Sequence, residues 1–170
     1  MLSTQNTYSW YPVYTNPRAE KKAFDQLNKK GIETYFPTQK TLKQWSDRKK
    51  WVEEPLFNSY LFVKISEKEY TDVLQTNGVC RFVYFSGKAS FIPEQQINNI
   101  KLLTSNAIPF EIIDPGYKKG EKVRVKTGPM QGLTGELIDF RLQKKMLIRL
   151  EHISHALLVE IPMAFIEPYF

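Results

Sequence analysis

The sequence predicts an α+β protein: an N-terminal, mainly antiparallel sheet with helices packed on it, followed by a small five-stranded β-barrel. Two observations carry this reading. Amphipathic helical stripes alternate with short apolar or aromatic runs as far as residue 104, and five short alternating runs then fill the C-terminal part with no helical stripe between them. At 170 residues, 42% hydrophobic and 25% charged, the composition is that of a globular protein and excludes disordered and fibrous classes.

The first strand falls at residues 9–14, aromatic and β-branched, and ends at Asn16-Pro17. Residues 18–30 place Ala19, Ala23, Phe24 and Leu27 on one helical stripe, with Gly31 as the stop. A second strand covers 32–37, and the basic segment 38–50 reads as an exposed hairpin or loop in which only Asp47 opposes the cations. Residues 60–65 are almost continuously apolar, which suits a strand buried on both faces at the centre of the sheet. Ser66 with Glu69 three residues later forms the S-x-x-E pattern of a capping box, and Tyr70, Val73 and Leu74 form the inner stripe of the helix it opens. A strand over 79–85, a turn at Ser86-Gly87, a short return strand over 89–92 and a helix beginning at Pro93 complete the N-terminal domain, residues 1–104. Ile97, Ile100, Leu102 and Leu103 supply that last helix's apolar positions. Residues 105–117 lack periodicity and hold Pro109, Pro115 and Gly116; they read as a linker, apolar enough through Phe110, Ile112 and Ile113 to dock in part. The barrel domain is 118–170, with strands at 121–126, 133–140, 145–150, 156–161 and 164–169.

Charge is uneven. Residues 1–104 carry 15 basic and 10 acidic side chains, whereas 105–170 carry 9 and 8. The positive field of the N-terminal part favours phosphate backbones or anionic surfaces. Cys80 is the only cysteine, so neither an intramolecular disulfide nor a cysteine zinc cluster can form. No run approaches the roughly 20 apolar residues needed to cross a bilayer, and the first fifteen residues have no leader pattern, so a cytoplasmic protein is expected.

Catalytic signatures are absent: no phosphate loop, dinucleotide fingerprint, nucleophile elbow or zinc-protease helix occurs. His152 and His155 sit in a predicted turn with only Glu151 nearby, which suits exposed loop histidines better than metal ligands. Glu53 and Glu54 are adjacent, so in a strand they point apart and form no acid/base dyad. The expectation is a binding protein, not an enzyme, with no metal and no cofactor.

Three segments carry a family resemblance. Trp10-Tyr11 followed by Glu20, the run from Glu53-Glu54-Pro55-Leu56-Phe57 through Tyr60-Leu61-Phe62-Val63, and Gly120-Glu121-Lys122-Val123-Arg124-Val125 followed by Gly128 to Gly135 resemble, in that order and spacing, the NusG family of transcription elongation factors. The last run is similar to the KOW motif that opens the family's C-terminal barrel. Independently of the name, its valines alternate with cations across a strand, and Gly128-Pro129 and Gly132 bracket a tight loop.

The resemblance implies that the N-terminal domain sits on RNA polymerase, with an apolar pocket over the clamp helices of the largest subunit and a polar edge near the upstream or non-template DNA. The pocket positions are Tyr14, Phe57, Tyr60, Phe82 and Phe85. Phe82 and Phe85 are three apart and face opposite sides of a regular strand, so only one of them is expected in the pocket. The nucleic-acid edge corresponds to Asn16, Lys29, Lys30, Thr76 and Asn77, to which the basic segment adds Lys43, Arg48, Lys49 and Lys50. Trp45 in that segment is expected to pack the hairpin onto the body, with stacking on an unpaired base as the alternative. In the barrel, Met130 and Ile153 are the expected partner-binding loop residues, the partner being the small ribosomal subunit or a termination helicase. A monomer with no membrane association is expected.

Ordinary family members read Phe-Pro-Gly-Tyr where this chain has Phe57-Asn58-Ser59-Tyr60. The difference is more similar to the specialised RfaH and UpxY types, which act on particular long operons such as polysaccharide clusters. A housekeeping NusG-type factor and a KOW-type ribosome- or RNA-binding protein are the alternatives. The β-formers Val123, Val125, Thr127, Thr134, Ile138, Ile148, Val159 and Ile161, with Pro162 interrupting any late helix, predict strands and not a helical hairpin in the C-terminal domain.

Overall fold

The computed structural model describes residues 7–114, 116–150 and 152–170. The N-terminal six residues, Pro115 of the expected linker and Glu151 beside the histidine pair lie outside the described residues. The chain forms two compact units, Met1–Phe91 and Ile92–Phe170.

In the first unit, β1 (Ser9–Thr15), α1 (Glu20–Lys29), β2 (Glu33–Tyr35), β3 (Thr38–Gln44), β4 (Lys49–Pro55), β5 (Tyr60–Ile65), α2 (Tyr70–Leu74), β6 (Val79–Phe82), β7 (Tyr84–Phe85) and β8 (Lys88–Ala89) follow in order. The sheet runs β2-β5-β1-β6, so the apolar strand β5 is central as its composition requires. β1 and β5 pair antiparallel from Ser9 opposite Ile65 to Tyr14 opposite Tyr60. Side chains alternate across this ladder. One face presents Val13, Leu61, Val63 and Ile65, which join Ala23 and Leu27 of α1, Val73 of α2 and Phe82 of β6 in a single buried cluster. The other face carries Trp10, Pro12 and Tyr14 of β1 opposite Lys64, Phe62 and Tyr60 of β5. Ser66 and Glu69 form the expected capping box, over a 3-10 turn (Glu67–Glu69) that leads into α2.

β3 and β4 form a separate two-stranded ribbon, paired from Thr38 opposite Pro55 to Gln44 opposite Lys49. β7 and β8 form a second, short hairpin. The strand expected over 79–85 is therefore broken at Val83, whose amide turns to the Pro12 carbonyl at 3.3 Å.

The second unit holds α3 (Glu94–Ser105), β9 (Phe110–Ile113), β10 (Glu121–Val125), β11 (Thr134–Phe140), β12 (Gln143–Leu150), β13 (His155–Val159) and β14 (Ile166–Pro168). The sheet order is β14-β10-β11-β12-β13-β9. Two readings change. The segment expected as linker supplies β9, which pairs with β13 and makes six strands where five were expected. The ladder is open between β9 and β14 among the described residues, not a closed barrel. The antiparallel β character expected from the β-branched residues holds throughout. Gly128 and Gly132 take φ of +88° and +94°, the conformations the KOW-like loop was expected to need.

α3, read from sequence as the last helix of the first domain, falls within the second unit. Within that unit one polar side chain ties α3 to β11. Asn99 is buried; its Oδ1 accepts from the Thr134 amide at 3.2 Å and its Nδ2 donates to the Thr134 carbonyl at 3.0 Å. The carboxamide thus acts as a peptide unit and caps the start of β11 as a neighbouring strand would. Asn99→Ala should leave both backbone groups without that partner and lower stability by about 1–3 kcal/mol, read as an earlier unfolding transition in urea.

Candidate functional site

The first unit brings Tyr14 and Tyr60 together. They lie directly opposite on β1 and β5, with ring centroids 4.8 Å apart and planes tilted by 41°. Arg81, opposite Tyr14 on β6, places its guanidinium 4.9 Å from the Tyr14 centroid, within cation–π range. Burial, then the hydrogen bond with Tyr14, raises the Tyr60 hydroxyl above its ordinary value, with Arg81 opposing the shift. Both tyrosines remain half-buried, so each still offers ring surface.

A polar clasp sets the chain's approach to Tyr60. Glu20, buried in the first turn of α1, accepts from the Ser59 amide at 2.8 Å, and the Ser59 carbonyl accepts from the Thr15 amide at 2.9 Å. Glu20 and the run before Tyr60 belong to different segments of the family resemblance, and the fold joins them through this bond. Ser59 itself has φ of +63°, the left-handed region that favours glycine. The position where ordinary family members carry glycine thus keeps the glycine conformation while holding a serine.

The other expected pocket residues separate. Phe57 is 2% exposed and sits edge-on to Phe62, so it supports the tyrosine face from within and offers no contact surface. Phe82 is 0% exposed, on the opposite, helix-covered face, where it stacks on Tyr70 at 4.5 Å. Both are thus placed in the interior, Phe82 by strand alternation toward the helices and Phe57 by the turn before β5, which folds it against Phe62. Phe85, 66% exposed on the β7–β8 hairpin, is the outward member of the Phe82/Phe85 pair. Beside that hairpin, Tyr70 and Tyr84 share a hydroxyl–hydroxyl hydrogen bond, which with burial pushes the Tyr70 phenol up to about 12. They line a cavity of about 520 Å³ with Tyr11, Ile65 and Lys88.

The expected nucleic-acid edge is partly assembled. The Asn16 amide donates to the Gly78 carbonyl at 2.9 Å, and Gly78, at φ of +96°, lies so close to α1 that an added Cβ would come within 3.2 Å of the Ala19 carbonyl. This close approach brings Asn16 and Asn77, both exposed, to one end of the unit. The Asp72 carbonyl accepts from both Lys30 Nζ at 3.0 Å and Thr76 Oγ1 at 2.8 Å, which ties Lys30 to the same end. Lys29 is exposed, but Thr76 is buried with its hydroxyl engaged, so it is withdrawn as a direct contact.

Lys43, Arg48, Lys49 and Lys50 lie on the β3–β4 ribbon, all exposed. Lys43, then Thr41, hold the Glu54 carboxyl below its ordinary range through hydrogen bonds. Trp45 does not pack the ribbon onto the body: it is 53% exposed, with its amide bonded to the Arg48 carbonyl across the turn. In the second unit, Met130 is half-buried in its loop, whereas Ile153 is 0% exposed. His152 and Ser154, at φ of +65° and +53°, flank Ile153 where it turns inward, so it is corrected to a core residue. Among the described residues no group of three His, Cys, Asp or Glu could hold a metal ion, and no helix is long and apolar enough to cross a membrane. Arg81, Trp51 and Leu42 were not singled out from sequence, where an isolated arginine or strand aromatic gives no sign of its neighbours.

Two variants test the clasp and the pair. Ser59→Gly should stabilise the protein by roughly 0.5–1 kcal/mol, since relief of the left-handed strain exceeds glycine's entropy cost. The raised Tyr60 value means that the unfolded chain loses this proton first, so the associated stability is complete below pH 10.0 and declines above it. In denaturant titrations Tyr60→Phe should show a shallower alkaline decline than the parent.

The family described as "NusG: Transcription termination factor nusG" matches residues 8–101. Among curated proteins, the transcription termination/antitermination protein NusG of Borreliella burgdorferi is 24% identical over 182 residues, spanning 94% of this chain and 97% of its own length. Among solved structures, one titled "Domain interaction in Thermotoga maritima NusG" aligns with a TM-score of 0.51 and 19% identity over 96% of this chain and 98% of that one, a likeness of fold.

Proposed function

Because the chain belongs to the NusG family of transcription elongation and termination factors, we propose that it binds the clamp helices of RNA polymerase through the Tyr14–Tyr60 face of its first unit and suppresses pausing or termination. The observation that carries this reading is the pair itself. Two half-buried tyrosines, held at 4.8 Å with Arg81 over one ring and Phe57 buried beneath the same face, present aromatic surface that costs little conformational entropy to order on binding. Phe85 on the β7–β8 hairpin adds a second exposed aromatic. Asn16, Asn77, Lys29 and Lys30 then face upstream or non-template DNA. The second unit holds a further partner, the small ribosomal subunit or a termination helicase, through the loop around Met130.

Asn58-Ser59 supports assignment to the specialised RfaH- and UpxY-like paralogues that act on particular long operons, such as those for polysaccharides. A chain that keeps a left-handed turn without glycine before Tyr60 has departed from the ordinary pattern at the residue next to its contact surface. The near-balance of charge over residues 105–170 disfavours a KOW domain working mainly on ribosomal RNA.

Retention on immobilised RNA polymerase tests the proposal. The parent should be retained and Tyr60→Ala should lose at least tenfold in affinity; equal retention of Tyr60→Ala removes the tyrosine face as the contact. If the edge neutralises about four phosphates of one DNA strand, log K for oligonucleotide binding should fall with log salt at a slope of roughly −3, and a flat response would remove the DNA contact.

A further inference from the structure

We infer that one face of the β3–β4 ribbon is a stacking platform for unpaired bases of a DNA strand, separate from the edge at Asn16 and Asn77. The inference deepens the proposed DNA contact and rests on that reading for the choice of DNA. Three independent features of the ribbon point to it.

The first is exposed aromatic surface where nothing in the fold uses it. Leu42 and Trp51 are directly opposite in the ladder and therefore project from the same face, 49% and 65% exposed. Trp45, at the turn beyond them, is 53% exposed. Leaving two indoles and a leucine in water on a hairpin of two seven-residue strands forgoes their transfer free energy, roughly 1.5–3 kcal/mol for each large side chain that could be buried. A base has a flat π-face that covers an indole, whatever its identity.

The second is cations placed around that platform. By strand alternation Lys40 and Lys49 share the Leu42–Trp51 face, one on each strand. They sit where phosphates on either side of a stacked nucleotide would run.

The third is a like-charge pair in the register. Lys43 and Lys50 are directly opposite on the reverse face, a placement that is destabilising in an isolated ladder. Lys43 is drawn to Glu54 near the base of the ribbon, while Lys50 and Arg48 remain exposed toward the tip. A polyanion passing the tip would meet Arg48, Lys49 and Lys50 there. Acidic side chains balance only the base of the ribbon: Glu53 lies opposite Lys40 on the platform face and accepts from Thr38 at 2.5 Å, and Glu54 accepts from Thr41 at 3.0 Å and pairs with Lys43, whereas toward the tip Asp47 alone lies among Arg48, Lys49 and Lys50. Unpaired bases fit better than a duplex, whose bases are stacked on one another and present no free face to Trp51.

The test uses the full chain and a fluorescein-labelled mixed-sequence DNA 12-mer, its duplex and the RNA of the same sequence, with anisotropy as the readout. Binding should be tightest to the DNA single strand. Trp51→Ala should weaken it about tenfold and leave the duplex within twofold, while Trp51→Phe should retain most of the affinity. Indole emission should be quenched by the unlabelled 12-mer in the parent and, measured in a Trp45→Phe background so that only buried Trp10 remains beside Trp51, much less once Trp51→Phe is added. Lys49→Gln should reduce the magnitude of the salt slope by about 0.7. Single-strand affinity unchanged in Trp51→Ala, or tighter binding of the duplex or the RNA, overturns the inference. Retention of Trp51→Ala on RNA polymerase, measured in parallel, keeps the two readings apart: the tyrosine face predicts full retention whatever the oligonucleotide result.

Discussion

The antiparallel register between β1 and β5 is the constraint on which the rest of the first unit depends. With Tyr14 opposite Tyr60 and Ser9 opposite Ile65, alternation sends Val13, Leu61, Val63 and Ile65 to the helices and Tyr14, Tyr60 and Phe62 to the other side. A slip of one residue would invert both sets. The same pairing brings the end of β1 beside the turn before β5, where Glu20 and Thr15 hold Ser59 from both sides of its peptide. Core formation and presentation of the aromatic pair are thus consequences of one ladder.

The two units divide polar work differently. In the first, cations gather on a projecting ribbon and at the end formed by Asn16, Asn77 and Lys30, where the fold leaves them in solvent. In the second, several charged groups pair with one another: Arg124 binds Glu167, Arg149 binds Glu136, and Lys144 binds Asp139. The exposed pairs, Arg124–Glu167 and Lys144–Asp139, add little stability. They do lower the field that the sheet presents to a polyanion.

Much of this organisation was legible in the sequence because it rests on periodicity. The stripe of Ala23 and Leu27, the continuous apolar run of β5, the capping box at Ser66 and the glycines of the KOW-like loop each announce a local geometry that no tertiary contact overrides. What was not legible depends on distant neighbours. Phe110–Ile113 has no alternation and lies among prolines, yet forms β9 because β13 offers a free edge. Phe57 and Phe82 were expected as contacts from the family resemblance and Ile153 as an exposed loop residue, and only the packed structure reveals that they face inward. Trp45 gave the opposite error, since an aromatic residue in a hairpin suggests packing and this one remains in solvent. Asn99 illustrates the same limit for polar groups: a helix interior asparagine shows no sign of the strand terminus it will complete.

The account's central claim is that the Tyr14–Tyr60 face is the surface applied to the transcribing enzyme. Hydrogen–deuterium exchange of the full chain, free and on a reconstituted elongation complex, tests it most directly. The account predicts slowed exchange at the C-terminal end of β1 and the turn into β5, with the β10–β11 loop around Met130 unchanged. Slowed exchange confined to that loop, or none in β1 and β5 while the chain binds ribosomal particles, would contradict it.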